Sequence, residues 1–305
     1  MKIHHDLQRP TGAPIVVAIG FFDGFHRGHQ TIIRELRMLR KPGFRTGVLT
    51  FANHPSSFLR AGSEPDLITT PQERIDLLAQ AGIEECFFIP FDERIATLSP
   101  QAFVDDVLVA QIHARAVVVG ANFRFGKGRA GDTTLAREAL AAYDVPFLAV
   151  ENSVDAGERI SSTRIRKLIL DGDIEQAETL LGHAFVLRGE VQLGAGRGHD
   201  LGFPTANLAH SPQKLLPRDG VYSGVARHDG RDYATLVSIG TNPTFDGSKR
   251  TIEAWLRDFH ATIYGEQLAL RDLRFVREQI RYDSAEALLA QMQRDLSAVA
   301  YPSYG

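Results

Sequence analysis

Two histidines three residues apart, His26 and His29, stand in the stretch "GFFDGFHRGHQ" (residues 20–30), with Gly28 between them and the apolar run "IVVAI" just before. Imidazoles at that spacing suit half of a metal site, a cradle for phosphates, or only a turn from strand to helix. A metal needs a third and usually a fourth ligand. The single cysteine, Cys86, and the scattered remaining histidines offer none at ligand spacing. The phosphate reading uses more of the residues. Backbone N–H groups and the dipole at a helix start favour anions. Gly20, Gly24 and Gly28 allow close backbone approach, and imidazoles donate hydrogen bonds to phosphoryl oxygens as charge grows on them. This reading requires a second anion-binding element on the same sheet. "RISSTRIR" (159–166) supplies one: Ser161, Ser162 and Thr163 offer hydroxyls and N–H groups, while Arg159 and Arg166 add charge. Taken alone, that segment is equally well an N-cap with basic surface residues.

A second set lies further on. In "GAGRGHDLGFPTANL" (194–208), Gly194, Gly196, Gly198 and Gly202 suit a loop that folds over phosphates. Thr205 and Asn207 present a hydroxyl and an amide oxygen, hard ligands appropriate to Mg²⁺ shared with a nucleotide. A flexible loop leading into a strand is the plainer alternative. No Gly-Lys-Ser follows, so a P-loop kinase is not supported. Glu253 falls in the strand-like run "TIEAWLRDF". Either it faces solvent from an exposed edge, or it is poised to accept a proton from a substrate hydroxyl.

The elements that must position these residues change character along the chain. The first half alternates β-rich runs, "IVVAI" (15–19), "GVLTF" (47–51), "ECFFI" (85–89), "AVVVG" (116–120) and "PFLAV" (146–150), with helical stretches. These are "HQTIIRELRMLR", "TPQERIDLLAQAG", "SPQAFVDDVLVAQI" and "DTTLAREALAAY". Strands apolar on both faces, separated by amphipathic helices, predict an open, doubly wound α/β sheet. Residues 185–280 instead carry glycine-punctuated strands, with a hairpin turn at "RHDGRDY", and "SAEALLAQMQRDLSAV" predicts a final helix. A small antiparallel β-barrel with one C-terminal helix is expected there, giving domains 1–183 and 184–305.

Composition bounds the rest. A chain of 305 residues, 44% hydrophobic and 23% charged, has the balance of a soluble globular protein of two domains. With 34 Lys and Arg against 37 Asp and Glu, no overall basic surface suggests nucleic acid. One cysteine forms no internal disulfide, and "MKIHHDLQRPTGAP" lacks the apolar core of a signal peptide. No apolar run approaches the roughly 18 residues of a membrane span. A cytoplasmic enzyme or binding protein, without a membrane or nucleic-acid partner, is expected.

The motifs also carry a resemblance. "GFFDGFHRGHQ", "TFANHP", "GANFRFGKGRAGD" and "RISSTRIR", in that order, resemble the adenylyltransferase half of bifunctional bacterial riboflavin kinase/FAD synthetases. "GFPTAN", "GVYSGVA", "SIGTNPTF" and "RTIEAWLRDF" resemble the riboflavin kinase module, a small β-barrel, so the resemblance spans essentially the whole chain. It implies that "HRGH" is the His-x-Gly-His signature of nucleotidylyltransferases, with His26 and His29 on the ATP phosphates. Gly20, Phe21, Gly28, Arg159, Ser161, Ser162, Thr163 and Arg166 would form the rest of that phosphate-binding side, and Asn122 falls in a flavin-site motif. In the barrel, the resemblance gives Thr205 and Asn207 to ATP-bound Mg²⁺, Glu253 the role of general base, and Arg277 a place near the flavin. The implied reactions are phosphorylation of riboflavin to FMN and adenylylation of FMN to FAD, each consuming ATP. An adenylyltransferase with an inactive flavin-binding barrel, and a non-catalytic flavin-binding protein, are the alternatives. The chain departs from the family pattern at Ala52 and Asn53, at His183 and His199, and at Gln279.

Overall fold

The computed structural model describes residues 1–7, 13–56, 64–193, 205–241, 250–280 and 285–298. Gly194, Gly196, Gly198, His199 and Gly202 lie outside these. The chain forms two compact units, Met1–Ser162 and Thr163–Gly305.

In the first unit six parallel strands form one sheet: β1 (Lys2–His4), β2 (Ile15–Ile19), β3 (Arg45–Phe51), β4 (Glu85–Ile89), β5 (Ala114–Gly120) and β6 (Phe147–Val150), in the order β1-β4-β3-β2-β5-β6. Alternate residues feed opposite cores. Val17, Ile19, Val117 and Val119 pack on one face with Phe103, Leu108 and Leu140. Val16, Ala18 and Val118 pack on the other with Ile32, Leu36 and Leu78. Helices cover both faces: α1 (Arg27–Met38), α2 (Pro71–Gln80) and α3 (Thr133–Ala141). Thr70 and Glu73 close a reciprocal capping box ahead of Pro71, so α2 starts where the sequence places a cap. "SPQAFVDDVLVAQI" departs from a plain α-helix. After Pro100–Ala102 it widens into a π-helix, Phe103–Gln111, with i→i+5 bonding, and buries Phe103, Val104, Val107 and Leu108.

The edge strand β1 has no counterpart among the expected strands. It pairs in parallel with β4, and Glu85, buried, holds it by accepting from His4 at 2.6 Å and from Arg45. The chain runs from β2 outward through β3 and β4, then crosses to β5 on the other side of β2. The strand order therefore reverses between the carboxyl ends of β2 and β5, where such sheets bind ligands. A small hairpin, β7 (Val154–Asp155) and β8 (Glu158–Arg159), follows β6.

The second unit contains α4, which runs on from the first (Ser162–Asp171), and α5 (Ile174–Leu181). Then come β9 (Leu187–Gln192), β10 (Thr205–Leu208), β11 (Gly220–His228), β12 (Arg231–Thr241), β13 (Arg250–Leu256) and β14 (Gln267–Arg277), and finally α6 (Ala285–Ala298). The strands close into an antiparallel barrel in the order β10-β13-β12-β11-β14-β9. At "RHDGRDY", His228 pairs with Arg231 across Asp229 (φ 44°) and Gly230 (φ 75°), the two left-handed residues that a tight hairpin needs. Within this unit, Glu178 of α5 accepts from the Phe185 N–H at 3.0 Å and from Arg274 of β14 at 2.9 Å.

Barrel closure leaves one position with no room. A Cβ on Gly189 of β9 would lie 1.6 Å from the Ala209 carbonyl oxygen, a backbone atom that cannot step aside. Gly189→Ala is expected to destabilise the barrel by about 3 kcal/mol or more, lowering its thermal unfolding midpoint. An unchanged midpoint would refute this account of the β9–β10 seam.

Candidate active sites

The turn leaving β2 is built from backbone that most residues avoid. Gly20 adds a rung by donating to the Leu49 carbonyl at 3.2 Å. Phe22 (φ 57°), Gly24 (φ 75°) and Phe25 (φ 36°) then adopt left-handed conformations, and burial of both phenylalanine rings holds the turn down. Polar ties complete it. The buried Asp23 carboxylate accepts from the Ile68 N–H (3.2 Å), the Thr69 N–H (3.0 Å) and the Thr69 hydroxyl (3.1 Å). Gly24 N–H donates to Thr69 Oγ1 at 2.9 Å. The Phe21 carbonyl accepts from Thr50 Oγ1 at 3.0 Å and from Arg74 at 2.8 Å.

His26 caps α1: its Nδ1 accepts from the His29 N–H at 3.3 Å, which leaves its proton on Nε2. The two imidazoles stack with ring centres 3.6 Å apart and planes 14° apart. A Cβ on Gly28 would sit 3.1 Å from the His26 ring, so the intervening glycine is what lets the capping imidazole fold back. His29 lies edge-on to Phe22, and its Nδ1 is buried with no hydrogen-bond partner among the described residues. Burial first, then the charges of His26, Arg74 and Arg159, hold the His29 pKa well below the ordinary imidazole value. At neutral pH it is uncharged. His29 thus offers hydrogen-bonding capacity without a charge of its own, and no group of three metal-binding side chains occurs among the described residues.

Two other expected residues reach this turn. Ser162, the first residue of α4, donates its hydroxyl to the Asp23 carbonyl at 2.9 Å. Arg159, exposed on β8, is close enough to act on His29. Ser161 lies between them, half-buried, and Thr163 and Arg166 continue along α4. Asn122 is exposed in the turn after β5, across the point of strand reversal from Gly20 and Phe21. The family departure at Asn53 has a structural use. Its amide donates to the Phe91 carbonyl (3.1 Å) and accepts the Phe91 N–H (2.8 Å), extending the β3–β4 ladder beyond its last residues. His54 then meets the Phe21 ring edge-on. Sequence reasoning assigned nothing to Asp23, Thr69 or Arg74. For Arg74 the available signal was its place on the face of α2 that also carries Leu78.

In the barrel, register does the positioning. Thr205 lies opposite Trp255, and Asn207 opposite Glu253, which in turn faces Ser238 on β12. Opposed residues share a face. Along β13, Ile252, Ala254 and Leu256 are buried while Thr251, Glu253 and Trp255 are only partly so, which puts Thr205, Asn207 and Glu253 together on the outward face. Glu253 therefore sits in a strand paired on both sides, not at an edge. Among the described residues its carboxylate has no hydrogen bond or ion pair. Arg277 stands at the end of β14, and its guanidinium grips the buried Asp295 of α6 at 2.7 Å. Gln279 donates to Ser238 Oγ at 2.9 Å.

Comparison with known proteins bears on both units. A family profile described as FAD synthetase matches residues 8–164, and one described as riboflavin kinase matches residues 181–301. A bifunctional riboflavin kinase/FMN adenylyltransferase of Listeria monocytogenes is 36% identical over 299 residues, covering 96% of this chain and 94% of the relative. Proteins of the same name from Escherichia coli K12 and Bacillus subtilis are 33% and 32% identical, each over 95% of this chain and 93% of the relative. A crystal structure named as a macrolide-efflux protein of Streptococcus pneumoniae is 32% identical and superposes with a TM-score of 0.86 over 97% of both chains. That name is the neighbour's; among the described residues here, no helix is long and apolar enough to cross a membrane.

The neutral state of His29 has a measurable consequence. A folded-state pKa below the unfolded one means that the folded chain binds fewer protons, so stability is lost as pH falls from about 6.5 toward the depressed value. Thermal midpoints of the first unit should fall more steeply over that range in the native chain than in His29→Ala. Parallel slopes would show that His29 is not held neutral by its surroundings.

Proposed function

We propose how this chain, which belongs to the bifunctional riboflavin kinase/FMN adenylyltransferase family, distributes its two reactions over its residues. The chain phosphorylates riboflavin to FMN with ATP and adenylylates FMN with ATP to give FAD and pyrophosphate. In the barrel, Glu253 takes the proton from the terminal ribityl hydroxyl as that oxygen attacks the γ-phosphorus, and ADP leaves. The observation that carries this is the Glu253 carboxylate, unpaired among the described residues, beside Asn207 on one outward face. Thr205 and Asn207, neutral oxygen donors on that face, fit Mg²⁺ and would hold it. When bound, the ion neutralises charge on the nucleotide phosphates.

In the first unit the FMN phosphate attacks the α-phosphorus of a second ATP. The nucleophile is already an anion, so no strong base is needed, and positioning and charge stabilisation carry the step. His26 and His29 supply N–H donors to the phosphates. Gly20, Phe21 and Gly28 shape the turn, and Arg159, Ser161, Ser162, Thr163 and Arg166 form the opposing side. Asn122 faces the flavin. Because Thr163 and Arg166 belong to α4, the functional half extends past the division between the compact units, and we set it at 1–183, with the kinase at 184–305. Arg277 serves the flavin side of the barrel from its anchorage on Asp295, and Gly194, Gly196, Gly198 and Gly202, outside the described residues, are assigned to the kinase nucleotide phosphates. ATP, riboflavin and FMN are the partners, and the cytoplasm is the compartment.

Incubation with riboflavin or FMN and Mg-ATP, followed by chromatography of the flavins, reads both steps on one preparation. Glu253→Gln is expected to lose roughly two to four orders of magnitude in riboflavin phosphorylation and to convert supplied FMN normally. Native kinase turnover would remove Glu253 from the mechanism. Asn207→Ala should weaken Mg-ATP use in the kinase step alone; loss of the barrel's circular dichroism would make that residue structural. His29→Ala should cost about two to three orders of magnitude in pyrophosphate release from FMN and ATP, with FMN formation intact and no rescue by zinc. Surviving adenylylation would overturn the phosphate assignment of the histidine pair.

A further inference from the structure

A buried cation must be satisfied by its surroundings. Arg74 of α2 has no exposed surface, and the chemistry above does not use it. Its Nη1 donates to the Phe21 carbonyl and its Nη2 to the Phe51 carbonyl, each at 2.8 Å, so one planar fork ties the carboxyl ends of β2 and β3 together. The Phe21 ring covers the guanidinium at 4.2 Å and the Phe88 ring faces it at 5.2 Å. Phe21 leads directly into the left-handed Phe22, and the turn ends at His26. From the elements around it, Arg74 meets the Asp23 carboxylate and the Cys86 thiol, whose pKa burial pushes up to about 12 and so leaves uncharged. Glu73, its neighbour on α2, is engaged in the helix cap. His29 is faced by His26, Arg74 and Arg159.

We propose that Arg74 is the positioning residue of the adenylyl-transfer site: by fixing the Phe21 carbonyl from beneath, it sets the left-handed turn that aims His26 and His29. The proposal rests on the assignment of this turn to adenylyl transfer. A lysine would keep the charge, but its ammonium has no rigid fork to span two carbonyls on neighbouring strands. Methionine would fill the space between the rings and remove the charge that helps to keep His29 neutral.

The test measures FAD formation from FMN and Mg-ATP across pH for R74K and R74M, with circular dichroism and thermal melting on each. R74K is expected to lose about tenfold or more in kcat while KM for ATP stays within about threefold, the signature of misplaced rather than missing donors. In R74M the acid limb of the kcat profile should move to higher pH than in R74K, because His29 regains a proton more readily; a purely structural role would leave that limb in place. Native kcat in R74K overturns the proposal, since charge alone would then suffice. An unmoved acid limb in a folded R74M overturns it as well, and if R74M does not fold, R74K decides. Loss of folding in both variants makes Arg74 a folding residue and also overturns it. His29→Ala, run alongside, separates the premise: normal adenylylation there would show that the turn is not the site at all.

Discussion

The first unit depends on keeping a left-handed turn rigid at the carboxyl edge of a parallel sheet. Three of the six residues from Gly20 to Phe25 have positive φ, and two of those three are phenylalanines, for which such backbone is strained. Opposite charges hold it from two directions. The Asp23 carboxylate draws in the segment before α2, while the Arg74 guanidinium draws in two strand ends. Each ion makes its hydrogen bonds chiefly to backbone groups rather than to the other ion, and the Arg74 Nε is buried with no hydrogen-bond partner among the described residues. With the turn fixed in this way, the placement of the two imidazoles, His26 buried and His29 largely so, follows from it.

The barrel solves the same problem without left-handed backbone at the residues it gathers. Pleating alone gathers Thr205, Asn207 and Glu253, because opposed residues on adjacent antiparallel strands share a face. The two candidate sites therefore differ in what disturbs them. The sheet site is sensitive to side chains beneath one turn, and the barrel site to whatever shifts one strand along another.

Much of this was legible in the sequence. "IVVAI" and "ECFFI" coincide with β2 and β4 because each is buried on both faces, which leaves runs that are apolar apart from Glu85. The Asp-Gly pair of the hairpin and the Thr-Pro start of α2 announce themselves through local backbone chemistry. What stayed hidden depended on distant partners. The three residues of β1, Lys2, Ile3 and His4, are too short a run to read as a strand, and β4, some eighty positions on, offers them an edge and a buried glutamate. Arg74 looks like any charge on an amphipathic helix until the turn from residue 20 onward is laid over it. Arg277 was read through a likeness to the flavin side, and its grip on Asp295 was invisible without α6 in place.

Closure of the second unit makes its outward face a matter of counting. In an open sheet an edge strand can slide by two residues and still keep its inner and outer sides. Around a six-membered ring there is no loose edge to absorb the error, and a slide at one seam must be repaid in the stagger of every other. A two-residue slip of β13 against β10 would set Trp255 opposite Asn207 where Glu253 now stands, with every side chain still pointing correctly inward or outward. Extra residues in this unit are accommodated most easily at connections such as the tip at Asp229 and Gly230, and the ring itself acts as a ruler.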